Sequence, residues 1–256
     1  MKKTIFLCAL AFAMLLSSCG YLEGKGLLPV DPEAEPEQLE GEELETVNET
    51  IISKALSIGE TFYDLPRGDK EEGALALTVT NAKIVHNFSQ NGLSADNTYG
   101  MPYVVLDGFT YTYPDFLDEN TEMMDGSSLL LVDVTIENID AVRCEFPETN
   151  DPYLFRGDGF LCLCDLSRPD GGTKEDGQFV WASVKYFNLL NSEPIHPLAF
   201  RLEPGETIQV QIGFFLDDYW DNPNTLFLSN HAGQYSNSDD RCLFIDLNLS
   251  NGEKDT

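Results

Sequence analysis

Positive charge is what this chain has least of. Lys and Arg number 15 against 44 Asp and Glu, a net charge of −29 at pH 7. Binding to nucleic acid draws its affinity from cations that displace the counterions of phosphates, so no nucleic-acid partner is expected. Histidine is scarce as well: 3 scattered residues give no zinc spacing, and no Cys-x-x-Cys occurs. His86 and His196 lie on or beside strand-like stretches and read as surface or core residues, not as bases. There is no Gly-x-Ser-x-Gly elbow and no local signature of a nucleophilic triad. Carboxylates are so abundant that a pair at glycosidase separation cannot be singled out. The expectation is a protein without catalytic residues or an obligatory cofactor. The alternative is an envelope or glycan-acting hydrolase with unidentified carboxylates.

At the amino end, Lys2 and Lys3 precede an uncharged run from Ile5 to Leu16. As a helix that run would rise only about 18 Å, short of a hydrocarbon core of roughly 30 Å. Its length and flanks fit the apolar region of a secretory signal peptide. Leu16-Ser17-Ser18-Cys19 then resembles the lipobox of bacterial lipoproteins. The resemblance implies cleavage between Ser18 and Cys19, and diacylglyceryl modification of the Cys19 thiol. It also implies a protein held by palmitate-type chains on the outer side of the cytoplasmic membrane, or on the outer membrane of a diderm cell. Two acyl chains give stable anchoring where one gives only a reversible hold. Removing the signal takes away two bases and no acid, so the mature chain is more acidic still.

Residues 1–18 are thus the signal, and 19–50 read as an acidic tether. Between Asp31 and Glu49 there are nine acids, no base and two prolines, a composition that does not bury enough apolar surface to order itself. Leu44, Val47, Ile51, Ala55 and Ile58 fall at helical spacing, so the tether can end in a short amphipathic helix.

Within 51–256 the dominant period is two. Ile208, Val210, Ile212, Phe214 and Leu216 alternate with polar or small residues, as do Leu130, Val132, Val134 and Ile136. Leu75, Leu77 and Val79 begin a third such stretch, and Leu243, Ile245, Leu247 and Leu249 form a fourth. Shorter candidates lie near Phe160–Leu166, Gln178–Val184, Leu198–Leu202 and Thr225–Leu228. Many alternating segments with turn signals between them predict an all-β antiparallel sandwich. Ser89 to Gly126 breaks the pattern and reads as a long insertion. Its aromatic residues, Tyr99, Tyr103, Tyr111 and Tyr113 among them, make it the expected contact surface for an envelope protein or glycan. The competing reading is a hydrophobic cluster beneath a loop.

Arg201-Leu202-Glu203-Pro204-Gly205-Glu206-Thr207 and the strand after it are similar to bacterial lipoprotein families of unknown function. So is Val132-Asp133-Val134-Thr135-Ile136-Glu137-Asn138, with a fainter echo at Ser57-Ile58-Gly59-Glu60-Thr61. That resemblance implies an immunoglobulin-like sandwich in the cell envelope and transfers no catalytic residue.

Cys144, Cys162, Cys164 and Cys242 remain after cleavage and lipidation. An even number in an exported chain permits disulfides, with Cys162 and Cys164 pairing to Cys144 and Cys242. The other reading is buried thiols packing as small hydrophobes. Asp217, Asp218 and Asp221, with Asn222 and Asn224, are hard-oxygen donors that can hold calcium, although Asp and Asn are also what turns select. Arg156-Gly157-Asp158 is the adhesin tripeptide, but Asp158-Gly159 reads as a hairpin turn between Leu154-Phe155 and Phe160-Leu161.

Overall fold

The computed structural model describes residues 39–249, apart from 66–71, 99–103, 107–108, 112–115, 119, 121, 144, 147, 174, 191–197, 218–219, 221 and 237–240. The signal segment, Ser18, Cys19 and the tether up to residue 38 therefore lie outside the described residues. No described helix is long and apolar enough to cross a membrane.

The chain forms an all-β sandwich. One sheet runs in the order Tyr186–Leu189 (β10), Thr207–Leu216 (β12), Ser128–Asn138 (β6), Leu75–Val85 (β3) and Thr61–Asp64 (β2), antiparallel throughout. The other runs Leu56–Ser57 (β1), Phe244–Asp246 (β15), Leu226–Ser229 (β13), Cys162–Gly172 (β8), Asp176–Ala182 (β9) and Gln234–Ser236 (β14). Among the described residues, only β1 and β15 pair in parallel. Successive strand residues point to opposite faces. The even-numbered residues of β6 and β12 therefore point inward, where Leu130, Val132, Val134, Ile136, Val210, Ile212 and Phe214 meet Leu163, Leu226, Leu228 and Ile245 of the facing sheet. Each such buried side chain contributes about 1.5–3 kcal/mol.

The odd-numbered residues explain why parts of these strands lose their alternation. Leu129, Leu131 and Phe215 point outward yet are buried, because Val85, Phe88, Phe116, Leu117 and Tyr186 pack over them. The Phe116 ring stacks on Phe215 with centroids 4.9 Å apart. Phe116 thus belongs to a hydrophobic cluster beneath the insertion. Within the insertion, Val104–Leu106 (β4) and Phe109–Tyr111 (β5) form a hairpin.

The outer face of the second sheet is covered by a helix, Gly41–Lys54 (α1). Glu42 and Glu43 in its first turn and Lys54 in its last complement the helix dipole. Leu39, Val47 and Ile51 are buried on Cys164, Leu166, Phe179, Phe227, Tyr235 and Phe244. This corrects the boundary drawn at residue 50: the packed domain reaches back at least to Leu39, and residues 39–50 are not tether. The acids that made the segment read as disordered occupy its solvent side; Glu40, Glu42, Glu43, Glu45 and Glu49 are all exposed.

The two Gly-Glu-Thr sequences are the same device. At Glu203–Glu206 the Glu206 amide donates to the Glu203 carbonyl (3.0 Å), with Pro204 and Gly205 (φ +83°) at the centre. At Ser57–Glu60 the Glu60 amide donates to the Ser57 carbonyl (3.0 Å), with Gly59 at φ +93°. Pro before a glycine at positive φ matches a type II turn. In both, the glutamate carboxylate reaches back to the first amide of the turn, at 2.8 Å for Glu203 and 2.6 Å for Ser57. In both, the next residue is a threonine that opens a strand, β12 or β2. The Asn at the end of β6 completes the arrangement. Asn138 is fully buried; its amide donates to the carbonyls of Ala141 (3.1 Å) and Leu202 (2.8 Å) and its Oδ1 accepts from the Ala141 amide (2.6 Å). The Gly205 amide donates to the Asn138 carbonyl at 2.7 Å. The two stretches that carry the family resemblance therefore meet in space.

The insertion is clasped by two carboxylates. Asp118 Oδ1 accepts from the amides of Asn120 (2.8 Å) and Glu122 (2.9 Å), and Glu122 accepts from those of Phe88 (2.8 Å) and Ser89 (3.2 Å). Hydrogen bonds to the charged form hold both groups below their ordinary values, the Glu122 amide foremost for Asp118 and the Ser89 side chain foremost for Glu122. Both bind protons more weakly folded than unfolded. Their stabilisation is therefore full above the ordinary carboxyl range and disappears as pH falls through the depressed values. Amide exchange at Phe88, Ser89, Asn120 and Glu122, corrected for intrinsic rates, is expected to lose protection as the solution is taken from about pH 6 to about pH 3. Glu122→Gln should remove most of the change at Phe88 and Ser89. Protection that stays constant across that range would contradict the clasp.

Candidate ligand cleft

The sequence-predicted site residues disperse. Cys162 and Cys164 sit on one face of β8 as buried thiols, whose Sγ atoms donate to the carbonyls of Ser229 (3.2 Å) and Phe227 (3.4 Å). The disulfide reading is corrected for these two: alternate positions on a strand interior leave each sulfur packed against a neighbouring backbone. Burial pushes the Cys162 thiol up to about 11 and that of Cys164 well above its ordinary value. Cys242 lies half-buried just before β15, and Cys144 lies outside the described residues. Of the aromatic contact surface, Tyr99, Tyr103 and Tyr113 also lie outside them, and Tyr111 is described only as the last backbone position of β5. Of the calcium trio only Asp217 is described; it is half-buried, and Asp218 and Asp221 lie outside. Asn222 Oδ1 accepts from the Asn224 amide at 3.1 Å, as in an Asx turn.

The Arg156-Gly157-Asp158 tripeptide is closed on itself. Arg156 Nε and Nη2 donate to Asp158 Oδ1 (3.1 Å) and Oδ2 (2.9 Å). The expected hairpin with Phe160-Leu161 does not form. Leu154–Arg156 (β7) pairs instead with Ala199–Arg201 (β11), and the Gly157 amide donates to the Leu198 carbonyl at 2.6 Å. Gly157 has to be glycine, because an added Cβ would lie 2.0 Å from the Phe187 ring.

Beside this clasp lies a cleft of about 270 Å³ on the outer face of the second sheet, lined by Asp158, Cys162, Trp181, Ser229, His231 and Gln234 among others. It is built by two strands and one pinned loop. Cys162 of β8 and Trp181 of β9 share the outward face. The loop leaving β13 folds over β9 at Ala232 (φ +51°) and Gly233 (φ +72°), with the Gln234 amide donating to the His231 carbonyl at 2.9 Å. Two consecutive central residues at positive φ are the mark of a type I′ turn. The loop is fixed on every side. The Phe179 amide donates to the Gly233 carbonyl (3.0 Å) and Gln178 Nε2 to the Ala232 carbonyl (3.0 Å). The His231 amide donates to Ser229 Oγ (3.2 Å), and Asn230 bridges the Arg241 carbonyl (2.9 Å) and the Leu243 amide (2.8 Å). A Cβ on Gly233 would lie 2.6 Å from the Phe179 carbonyl oxygen. Such a wall keeps its shape before any ligand arrives.

Two of the polar groups that line the cleft beside Ser229 and His231 are committed, Cys162 and Asp158. Cys162 stays protonated at neutral pH, and the thiol form is not a nucleophile. The Asp158 oxygens are each engaged by Arg156. What stands open is Trp181, 40% exposed, while Trp220 is 5% exposed in the core. Sequence reasoning missed the cleft because Trp181 reads simply as a strand residue and its opposite wall comes from a loop some fifty positions later. An outward-facing tryptophan and the His231-Ala232-Gly233-Gln234 turn were the available signals.

No family model matches this chain, and no curated protein matches it. Among solved structures, the chain is similar to an uncharacterized beta-sandwich protein from Clostridium difficile 630, at 11% identity and a TM-score of 0.34, covering 76% of this chain and 95% of that one. The assignment to the β-sandwich class rests on the strand pairing described above.

Proposed function

We propose that this protein is an exported, lipid-anchored binding module of the bacterial envelope, tethered through Cys19 and contacting its ligand without chemical turnover. The observation that carries the binding reading is the cleft itself, a preformed concavity with an open indole and with its thiol and carboxylate both held out of reaction. Anchoring is supported by the signal-like residues 1–18 and the Leu16-Ser17-Ser18-Cys19 box. Between the two, the acidic segment up to residue 38 acts as a spacer. Its like charges and Pro29, Pro32 and Pro36 are the composition of a spacer. The partner is then a component of the envelope or its surroundings.

Replacing Cys19 with serine removes the atom that takes the lipid. The protein is expected to move from the membrane fraction to the periplasm or medium while keeping its fold. Unchanged membrane fractionation rules out the anchor. The released protein, immobilised and passed over envelope extract, is expected to retain a component that Trp181→Ala fails to retain. Equal retention by both proteins excludes the cleft as the contact.

A further inference from the structure

A ligand for this cleft has to suit four features at once. Trp181 lines the cleft and is 40% exposed, whereas tryptophan is ordinarily a largely buried residue. At the rim, Gln234 is exposed and offers an amide with both donors and an acceptor. Asp158, 20% exposed, has each oxygen engaged once by Arg156, leaving further lone pairs to accept hydrogen bonds while its charge is matched by the guanidinium. The volume, about 270 Å³, is at the small end for ligand sites.

These features exclude the charged classes. An anion would meet a chain of net charge −29 and a cleft whose neighbouring arginine is already committed. A cation would find the Asp158 charge already balanced. A wholly apolar ligand would desolvate the Gln234 amide without pairing it and cover the remaining acceptor sites of Asp158. A neutral ring with one apolar C–H face and a rim of hydroxyls satisfies all of them. Its face lies on the indole, and its hydroxyls donate to Asp158 and exchange hydrogen bonds with Gln234.

Resting on the reading of the cleft as the ligand site, we propose that it binds a single neutral pyranose ring, stacked on Trp181 and held at its hydroxyl rim by Asp158 and Gln234. The ring comes either from a free sugar or from one residue of a glycan chain.

The two tryptophans make the test direct, since Trp220 is in the core and Trp181 alone faces the cleft. The Cys19→Ser protein is titrated, with fluorescence as readout, with glucose, galactose, mannose and N-acetylglucosamine and with short linear oligomers of each. A saturable change in emission is expected with at least one sugar. It should be absent in Trp181→Ala and shifted about tenfold to higher concentration in Gln234→Ala, a loss of about one hydrogen bond. An oligomer that binds at least tenfold tighter than its monomer identifies a glycan chain as the source, and equal affinity identifies the free sugar. No saturable change with any sugar, or a change that survives Trp181→Ala, overturns the proposal. If sugars fail while the envelope component is still retained in a Trp181-dependent manner, the sugar assignment falls and the cleft reading stands. If Trp181 is dispensable there too, both fall.

Discussion

Arg143→Ala is expected to lower the unfolding free energy by about 4 kcal/mol, the range observed when one partner of a buried ion pair is removed. The Arg143 and Asp64 side chains are 3% and 2% exposed. Nη1 lies 2.6 Å from Asp64 Oδ2, Nη2 donates to the Asp64 carbonyl at 3.0 Å, and Glu145 adds a further carboxylate at 3.9 Å. Asp64 ends β2 with its side chain on the inward-facing side of that strand, the same side as Phe62. Truncating Arg143 leaves a carboxylate out of water with its principal cation gone. The pair itself need not stabilise the fold strongly, since desolvating two charges cancels most of their attraction. The double variant Asp64→Leu/Arg143→Met should therefore recover most of the loss, although each single variant is poor. Urea unfolding with an unchanged m-value measures both. A single-variant cost below about 1 kcal/mol would mean that water reaches the pair, contrary to its burial.

Val47→Ala with Ile51→Ala is expected to cost about 4–5 kcal/mol, from two buried side chains truncated against one sheet face. Val47 is 3% and Ile51 6% exposed, both on Phe179, Phe227 and Phe244. The exposed Ile52, one position along, serves as the control; Ile52→Ala should move the urea midpoint little. If α1 were merely the end of a tether, the double variant would unfold with the parent. Its midpoint decides whether the domain starts at residue 39 or after 50.

The sandwich was legible because its longest strands state their periodicity in side chains. β12 and β6 each alternate over most of their length, and they pair over ten positions, from Thr207↔Glu137 to Leu216↔Ser128. Where alternation fails, as at Leu129-Leu130-Leu131-Val132, a second cover lies outside, and periodicity alone does not say which element supplies it. The helix was visible as spacing and hidden as composition. Val47 and Ile51 followed the 3.6-residue period, but the glutamates between them gave the local balance of a disordered chain. The buried pair was illegible, since Asp64 and Arg143 stand 79 positions apart. The cleft was illegible for the same reason: its indole and its loop belong to separate stretches, and neither carries a motif. The two Gly-Glu-Thr sequences lay at the other extreme, since a turn is made by neighbours and four residues suffice to specify it.

The place of β15 has a bearing on the order in which the chain folds as it leaves the ribosome. Residues 244–246 do not flank their sheet; they form an inner strand, with Ile245 opposite Leu56 on one side and Leu228 on the other. A chain made from its amino end presents β1 long before β15. In the interval β1 has no neighbour to pair with, and Phe244 is missing from the surface on which α1 must settle. Pairings this distant are slow to form because the intervening loop must be closed first. The second sheet is therefore completed only once residues 244–246 have been made.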